Sequence, residues 1–177
     1  MKLRSAAGFA LIDVLFTCAL LGILSSIALP RFLLARQSAS AATAIGALRY
    51  IHSAQLSFAL TCGSGYYAPN LTTLGQVPPG GGNEAFISPA LSEANTVTRS
   101  GYSIKIEASA YPGAPGSCNG LAPGQSTQAY SATANPIEPE NRRYFGTNVN
   151  GAIYEHSSTL DGVMPNVGIP PAGRVIH

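Results

Sequence analysis

The sequence predicts an α+β fold in which one long amino-terminal helix packs against a three- to four-stranded antiparallel sheet. Three observations carry this. Residues 9–29, FALIDVLFTCALLGILSSIAL, are an almost unbroken apolar run. Residues 31–61 contain no proline and a single glycine, Gly46, and are rich in helix-favouring Ala, Leu, Arg and Gln. From Gly101 onward, short segments alternate apolar and polar residues between turn-forming clusters.

The apolar run is 21 residues long. At about 1.5 Å per residue it reaches roughly 30 Å, the thickness of a bilayer's hydrocarbon core. A basic leader, MKLRSAAG, precedes it. Lys2 and Arg4 with no intervening acid place the amino end on the cytoplasmic side and the remainder outside. Asp13 lies inside the run, where a carboxylate is expensive, roughly 2.5–3.5 kcal/mol at the centre of a membrane helix. A chain that keeps one there needs it for more than anchoring. Pro30 closes the run and is expected to bend the helix, because it lacks an N–H and crowds the carbonyl four residues earlier. Beyond it, Ile45, Leu48, His52, Gln55 or Leu56, and Ala59 recur at helical spacing and predict a packing face. The whole reads as one helix over 10–61, gently kinked at Pro30 and stopped at Gly63. Ser26-Ile27-Ala28 could instead mark signal-peptide cleavage, but the apolar stretch is long for that and holds an acid.

Residues 62–100 read as an irregular connection. Short helical turns are expected near Asn70 and within 84–95, separated by the breaker Pro78-Pro79-Gly80-Gly81-Gly82. In GYSIKIEAS, Tyr102, Ile104 and Ile106 alternate with Ser103, Lys105 and Glu107, the pattern of a strand with one wet face. Further strands are expected over 128–135, 142–148 and 152–156. Asn150-Gly151 between the last two predicts a type I′ hairpin, whose two central residues need positive φ. The segment from Ser157 reads as a surface tail. Consecutive strands with short links make a meander.

Charged residues are only 10% of the chain. Removing Lys2 and Arg4 from the ten basic residues leaves eight against eight acidic ones, so the rest is neutral. That argues against generic nucleic-acid binding, which depends on excess Lys and Arg. Arg142-Arg143-Tyr144-Phe145 is a basic-aromatic cluster, read as strand packing plus solvated charge. Cys62 and Cys118 lie beyond the apolar run, in a compartment expected to be oxidising. Two such cysteines pair in only one way, so a Cys62–Cys118 disulfide is predicted, against two buried free thiols. Cys18 within the run reads as a small hydrophobe.

No Walker-type loop, H-E-x-x-H, C-x-x-C, EF-hand spacing or G-x-S-x-G elbow occurs. His52, His156 and His177 are scattered, and His52 reads as a satisfied residue of the packing face. Glu138 and Glu140 could join Asp161 around a calcium ion, but solvated loop acids are the simpler reading. Helix aromatics at irregular spacing fit packing better than electron conduction. No catalytic set, metal site or cofactor is expected.

Gly8-Phe9-Ala-Leu-Ile-Asp13-Val-Leu, with Gly22 and Pro30 behind it, resembles the amino-terminal motif of type IV pilins and type II secretion pseudopilins. The motif covers about 25 residues; the remainder resembles pilin heads in element order only. The resemblance implies a leader (1–8), a transmembrane and polymerisation helix (9–29) and a head (30–177) that includes the second part of the helix. It implies cleavage between Gly8 and Phe9 by a prepilin peptidase and methylation of Phe9. It also implies storage in the inner membrane among lipids, passage through an inner-membrane assembly platform driven by a separate ATPase, and a homo-oligomeric filament. In that family the fifth mature residue is usually glutamate; here Asp13 keeps the charge with one methylene less reach. Its carboxylate would neutralise the freed amine of Phe9, in the same chain or a neighbour; Ala10, Ala19, Gly22, Ser25 and Ala28 would allow close approach, and Gly22 and Pro30 would let the helix loosen locally as subunits enter the fibre. The expected function is a structural subunit of a type IV pilus-like filament. The alternatives are a secretion pseudopilin and a minor pilin acting as adhesin or DNA-uptake receptor. Abundance in sheared fibres separates these, and a bitopic membrane enzyme lacks its residues.

Overall fold

The computed structural model of the chain describes residues 6–79 and 84–176, with side chains from residue 11 onward. Lys2, Arg4 and the glycines of the 78–82 breaker lie outside the described residues, as does the side chain of Phe9. The chain divides into two compact units, Met1–Ala39 and Ser40–His177. Helix α1, Ala6–Thr61, runs through both and contains Pro30 without interruption.

In the second unit, α1 buries Ala41, Ala44, Leu48, Ile51, Ala54, Gln55, Phe58 and Ala59. The sequence places this face slightly elsewhere: Ile45 and His52 are half-buried and Leu56 is exposed. The difference comes from alanines 41, 44 and 54. Their small side chains allow close approach, so they occupy the centre of the face, whereas periodicity read from the larger residues tilts it toward Ile45 and His52.

Two short helices follow, α2 (Leu71–Leu74) and α3 (Pro89–Ser92). The Asn70 side chain accepts the Thr73 N–H at 2.9 Å and so caps α2. Six strands come next: β1 (Thr96–Arg99), β2 (Tyr102–Glu107), β3 (Ser131–Pro136), β4 (Tyr144–Asn148), β5 (Ile153–His156) and β6 (Arg174–Ile176). They form one sheet in sequence order, every neighbouring pair antiparallel. The meander is as expected, but the sheet has six strands rather than three or four. The two additional strands are short edges with mostly exposed residues, β1 burying only Val97 and β6 none. Neither carries the alternation by which a sequence announces a strand.

The inward face sets Val97, Ile104 and Ala134 abreast, with Phe145 next to Ala134. These residues join Leu48, Ile51 and Phe58 of α1 in one apolar core. Burying one such Leu, Ile or Phe contributes about 1.5–3 kcal/mol.

Two turns differ from expectation in an instructive way. The β1–β2 connection is Ser100-Gly101, with φ of 47° and 79°. Positive φ at both central residues makes it the type I′ hairpin. At Asn150-Gly151 only the glycine has positive φ, 75°. The Gly151 N–H bonds to the Asn148 carbonyl at 2.9 Å, a type I turn followed by a left-handed glycine. Gly151 also lies against His52, whose Nε2 would sit 2.6 Å from a Cβ at that position.

The segment after Ser157 is not a free surface tail. It crosses the sheet's other face and ends as β6. Leu160 and Met164 pack beside Tyr154, and a Cβ on Gly146 would lie 3.1 Å from both the Leu160 Cδ1 and the Met164 Sδ. The Asn148 amide donates to the carbonyls of Pro165 (2.9 Å) and Gly168 (2.7 Å). Asp161 accepts from Thr133 and pairs with Lys105 at 3.0 Å.

Gln55 is fully buried and ties α1 to the loop beyond it. Its Nε2 donates to the Ala68 carbonyl and its Oε1 accepts the Ala68 N–H, both at 2.8 Å. One amide thereby replaces the strand partner that a buried loop residue would lack. Gln55→Ala therefore destabilises the fold by about 2–5 kcal/mol, since two buried backbone groups lose their partners; urea denaturation of the variant measures this. A second test concerns His52, whose Nδ1 lies 2.9 Å from the Tyr130 hydroxyl. Burial holds its pKa below the ordinary 6.5. The folded state disfavours the imidazolium, so stability is complete above about pH 6.5 and is lost as pH falls from there through the folded pKa. Denaturation midpoints taken from about pH 8 to 5 should decline, and His52→Gln should flatten that part of the decline.

Candidate membrane and assembly helix

The first unit offers an exposed apolar surface. Leu11, Leu15, Ile23, Leu24, Ile27 and Leu29 are each more than 60% exposed, and Phe32 is 67% exposed. The helix is long and apolar enough to cross a membrane, with a window of mean hydropathy 2.2, a property that signal sequences share. Two of its polar side chains are arranged for an apolar setting. The Thr17 hydroxyl donates to the Val14 carbonyl at 2.9 Å and the Ser26 hydroxyl to the Ile23 carbonyl at 2.7 Å. Each is satisfied without water.

Asp13 is not satisfied in this way. Its side chain is exposed and makes no hydrogen bond or ion pair with any described residue. It follows Phe9 by four residues, one helical turn, so the two positions share a face. Gly22 is equally unexplained among the described residues. A glycine inside a helix costs about 1 kcal/mol relative to alanine, yet a Cβ there would meet nothing within 4 Å. Pro30 removes one helical N–H, leaving the Ser26 carbonyl without its usual partner, and the helix continues through it. Cys18 is exposed and not disulfide-bonded.

In the second unit Cys62 and Cys118 form the expected disulfide, with Cα atoms 4.8 Å apart. It sits just past the end of α1. There the Phe58 carbonyl accepts the N–H groups of Cys62 (2.9 Å) and Gly63 (2.7 Å). Gly63 is the predicted stop, and its position admits no side chain: a Cβ would come 2.2 Å from the Tyr66 carbonyl oxygen. The Cys118 N–H adds a bond to the Cys62 carbonyl at 3.1 Å, and Tyr66 stacks on Tyr111 at 5.9 Å. The bridge thus holds the long β2–β3 loop to the helix end. Linking residues 56 apart stabilises by about 4 kcal/mol in the chain-entropy model.

The remaining candidates are dispersed or already engaged. Glu138 and Glu140 are exposed, and Asp161 is held by Thr133 and Lys105 on the sheet. Among the described residues no three His, Cys, Asp or Glu side chains come together as a metal site. Arg143 lies over the Phe145 ring at 5.3 Å and donates to Glu155, which also accepts from Arg174 at 3.1 Å. Burial opposes ionisation of Glu155, and the hydrogen bonds from Arg143 and Arg174 outweigh it, leaving its pKa below the ordinary value. Sequence reasoning missed this cluster because Arg174 lies in the segment read as a tail.

No family model, curated protein or solved structure matches the chain.

The exposed position of Cys18 within the apolar helix allows a direct check. In proteoliposomes a membrane-impermeant maleimide should leave Cys18 unlabelled, and labelling should appear after denaturation in dodecyl sulfate. Full labelling in intact vesicles would show that the segment is in water.

Proposed function

We propose that the chain is the structural subunit of a helical filament of the type IV pilus kind, held in the inner membrane by α1 until it assembles. The carrying observation is the conjunction in residues 11–34 of an exposed apolar helix with an unpaired carboxylate and a glycine that no contact within the chain requires. Each has the same resolution in a bundle of identical helices. The apolar side chains meet their counterparts, Gly22 admits a neighbouring backbone, and Asp13 meets an amine.

The resemblance of Gly8-Phe9 and Asp13 to a prepilin processing motif supports the source of that amine. Cleavage would free the Phe9 α-amine one turn before the carboxylate. A neighbour's amine satisfies Asp13 only at one axial offset, so the pair would set the register of incoming subunits. The Cys62–Cys118 bridge accords with a head in an oxidising compartment, with the amino terminus cytoplasmic before processing. A secretion pseudopilin would share every one of these features, so no residue in the structure prefers it.

Mass spectrometry of the mature protein should find an N-methylated Phe9 at its start. A chain beginning at Met1 or at Leu29 would refute this processing. Asp13→Ala should leave cleavage intact and weaken assembly by about 3–5 kcal/mol per subunit contact, because one buried charge loses its partner. Normal fibre yield from that variant would remove Asp13 from assembly.

A further inference from the structure

Where β5 and β6 meet, Arg142, Glu155, His156, Ser157, Gly173 and Arg174 line an open cleft of about 400 Å³. Its one carboxylate is already engaged. Glu155, with a side chain only 11% exposed, accepts from Arg143 Nε at 2.5 Å through Oε1 and from Arg174 Nη2 at 3.1 Å through Oε2. These bonds leave most of the Arg174 donors free, and its side chain is 78% exposed. Arg142 is exposed and makes no hydrogen bond or ion pair with any described residue. His156 accepts the Ser158 backbone N–H at Nδ1, 3.1 Å away.

The cleft therefore presents donors whose only carboxylate is spent. Two of the six lysines and arginines beyond residue 40, Arg142 and Arg174, line it, and Arg143 reaches it through Glu155, the one acid there. Glu138 and Glu140 in the preceding turn do not line it. The backbone is shaped for the approach as well. Gly173 has φ +115°, and a Cβ there would lie 3.2 Å from the Glu155 carbonyl oxygen, so a side chain would push β6 and Arg174 outward. An ion-pair network joining β5 and β6 accounts for Arg143, Glu155 and Arg174. It gives no role to Arg142.

We propose that this cleft binds a small ligand carrying an oxyanion, a phosphate monoester or a carboxylated sugar, with the anionic group held between Arg142 and Arg174. Planar guanidinium groups suit both, since each can bind two oxygens of a phosphate or carboxylate at once. The volume suits a ligand of sugar-phosphate size. The site does not depend on filament assembly.

The test uses the full chain in zwitterionic nanodiscs with 15N-labelled arginine. Inorganic phosphate and D-glucuronate are titrated separately at constant ionic strength, with chloride as the control. The Nε–H signals of Arg142 and Arg174 should shift and saturate, with half-saturation on the order of 1 mM. Arg142→Gln, at an exposed position without partners, should weaken binding at least about tenfold. Saturation by phosphate alone assigns a phosphate ligand, and saturation by glucuronate alone a carboxylate. Shifts that match those in chloride, or that survive unchanged in Arg142→Gln, overturn the proposal. So do shifts produced by raising protein concentration alone, which would place a second copy's carboxylates in the cleft.

Discussion

Helix α1 meets two different environments along one backbone. From Ala41 to Ala59 its buried face is met by the inner face of the sheet, and Leu48, Ile51 and Phe58 lose all contact with water. From Leu11 to Leu34 its side chains are exposed, and no described residue covers them. Exposed apolar patches of this extent are rare on monomeric soluble proteins. At about 25 cal/mol per Å² of apolar surface, the free-energy drive to cover them is large. Lipid and identical helices can both do so. The two coverings differ at Asp13, which lipid leaves unpaired and a neighbour's terminal amine would neutralise.

The second unit is built so that the end of α1 stays fixed. Gln55 holds the following loop through both halves of its amide, Gly63 lets the chain reverse against Phe58, and the Cys62–Cys118 bridge brings the β2–β3 loop to the same point. On the opposite face of the sheet, Asp161 and Asn148 hold the returning carboxy-terminal segment. A subunit subject to axial force would gain from such cross-links, because each resists separation of helix from sheet.

Much of this was legible in the residues. Length and apolarity mark α1, the alternation of Tyr102, Ile104 and Ile106 marks β2, and two cysteines beyond the apolar run mark the disulfide. The edge strands were not legible, because Thr96–Arg99 and Arg174–Ile176 are short and mostly wet. The Asn-Gly signal at 150–151 named a hairpin correctly but the wrong turn. The type I′ geometry fell to Ser100-Gly101, a pair that sequence preference ranks lower. The Arg142 cleft was hidden for another reason: its parts are 32 residues apart in sequence and meet only because β6 returns beside β5. At the candidate assembly helix, Asp13 and Gly22 stood out by breaking local rules of composition, and no described residue compensates them.

The apolar surface of residues 11–34 is left uncovered by every described residue and calls for a covering from other molecules. Sedimentation and electron microscopy of the purified chain beginning at Phe9, as detergent is dialysed away without added lipid, follow whether that covering is supplied by identical helices. The account predicts that the monomer disappears and that ordered fibres of uniform width take its place. A monodisperse, folded monomer persisting in detergent-free buffer would contradict it.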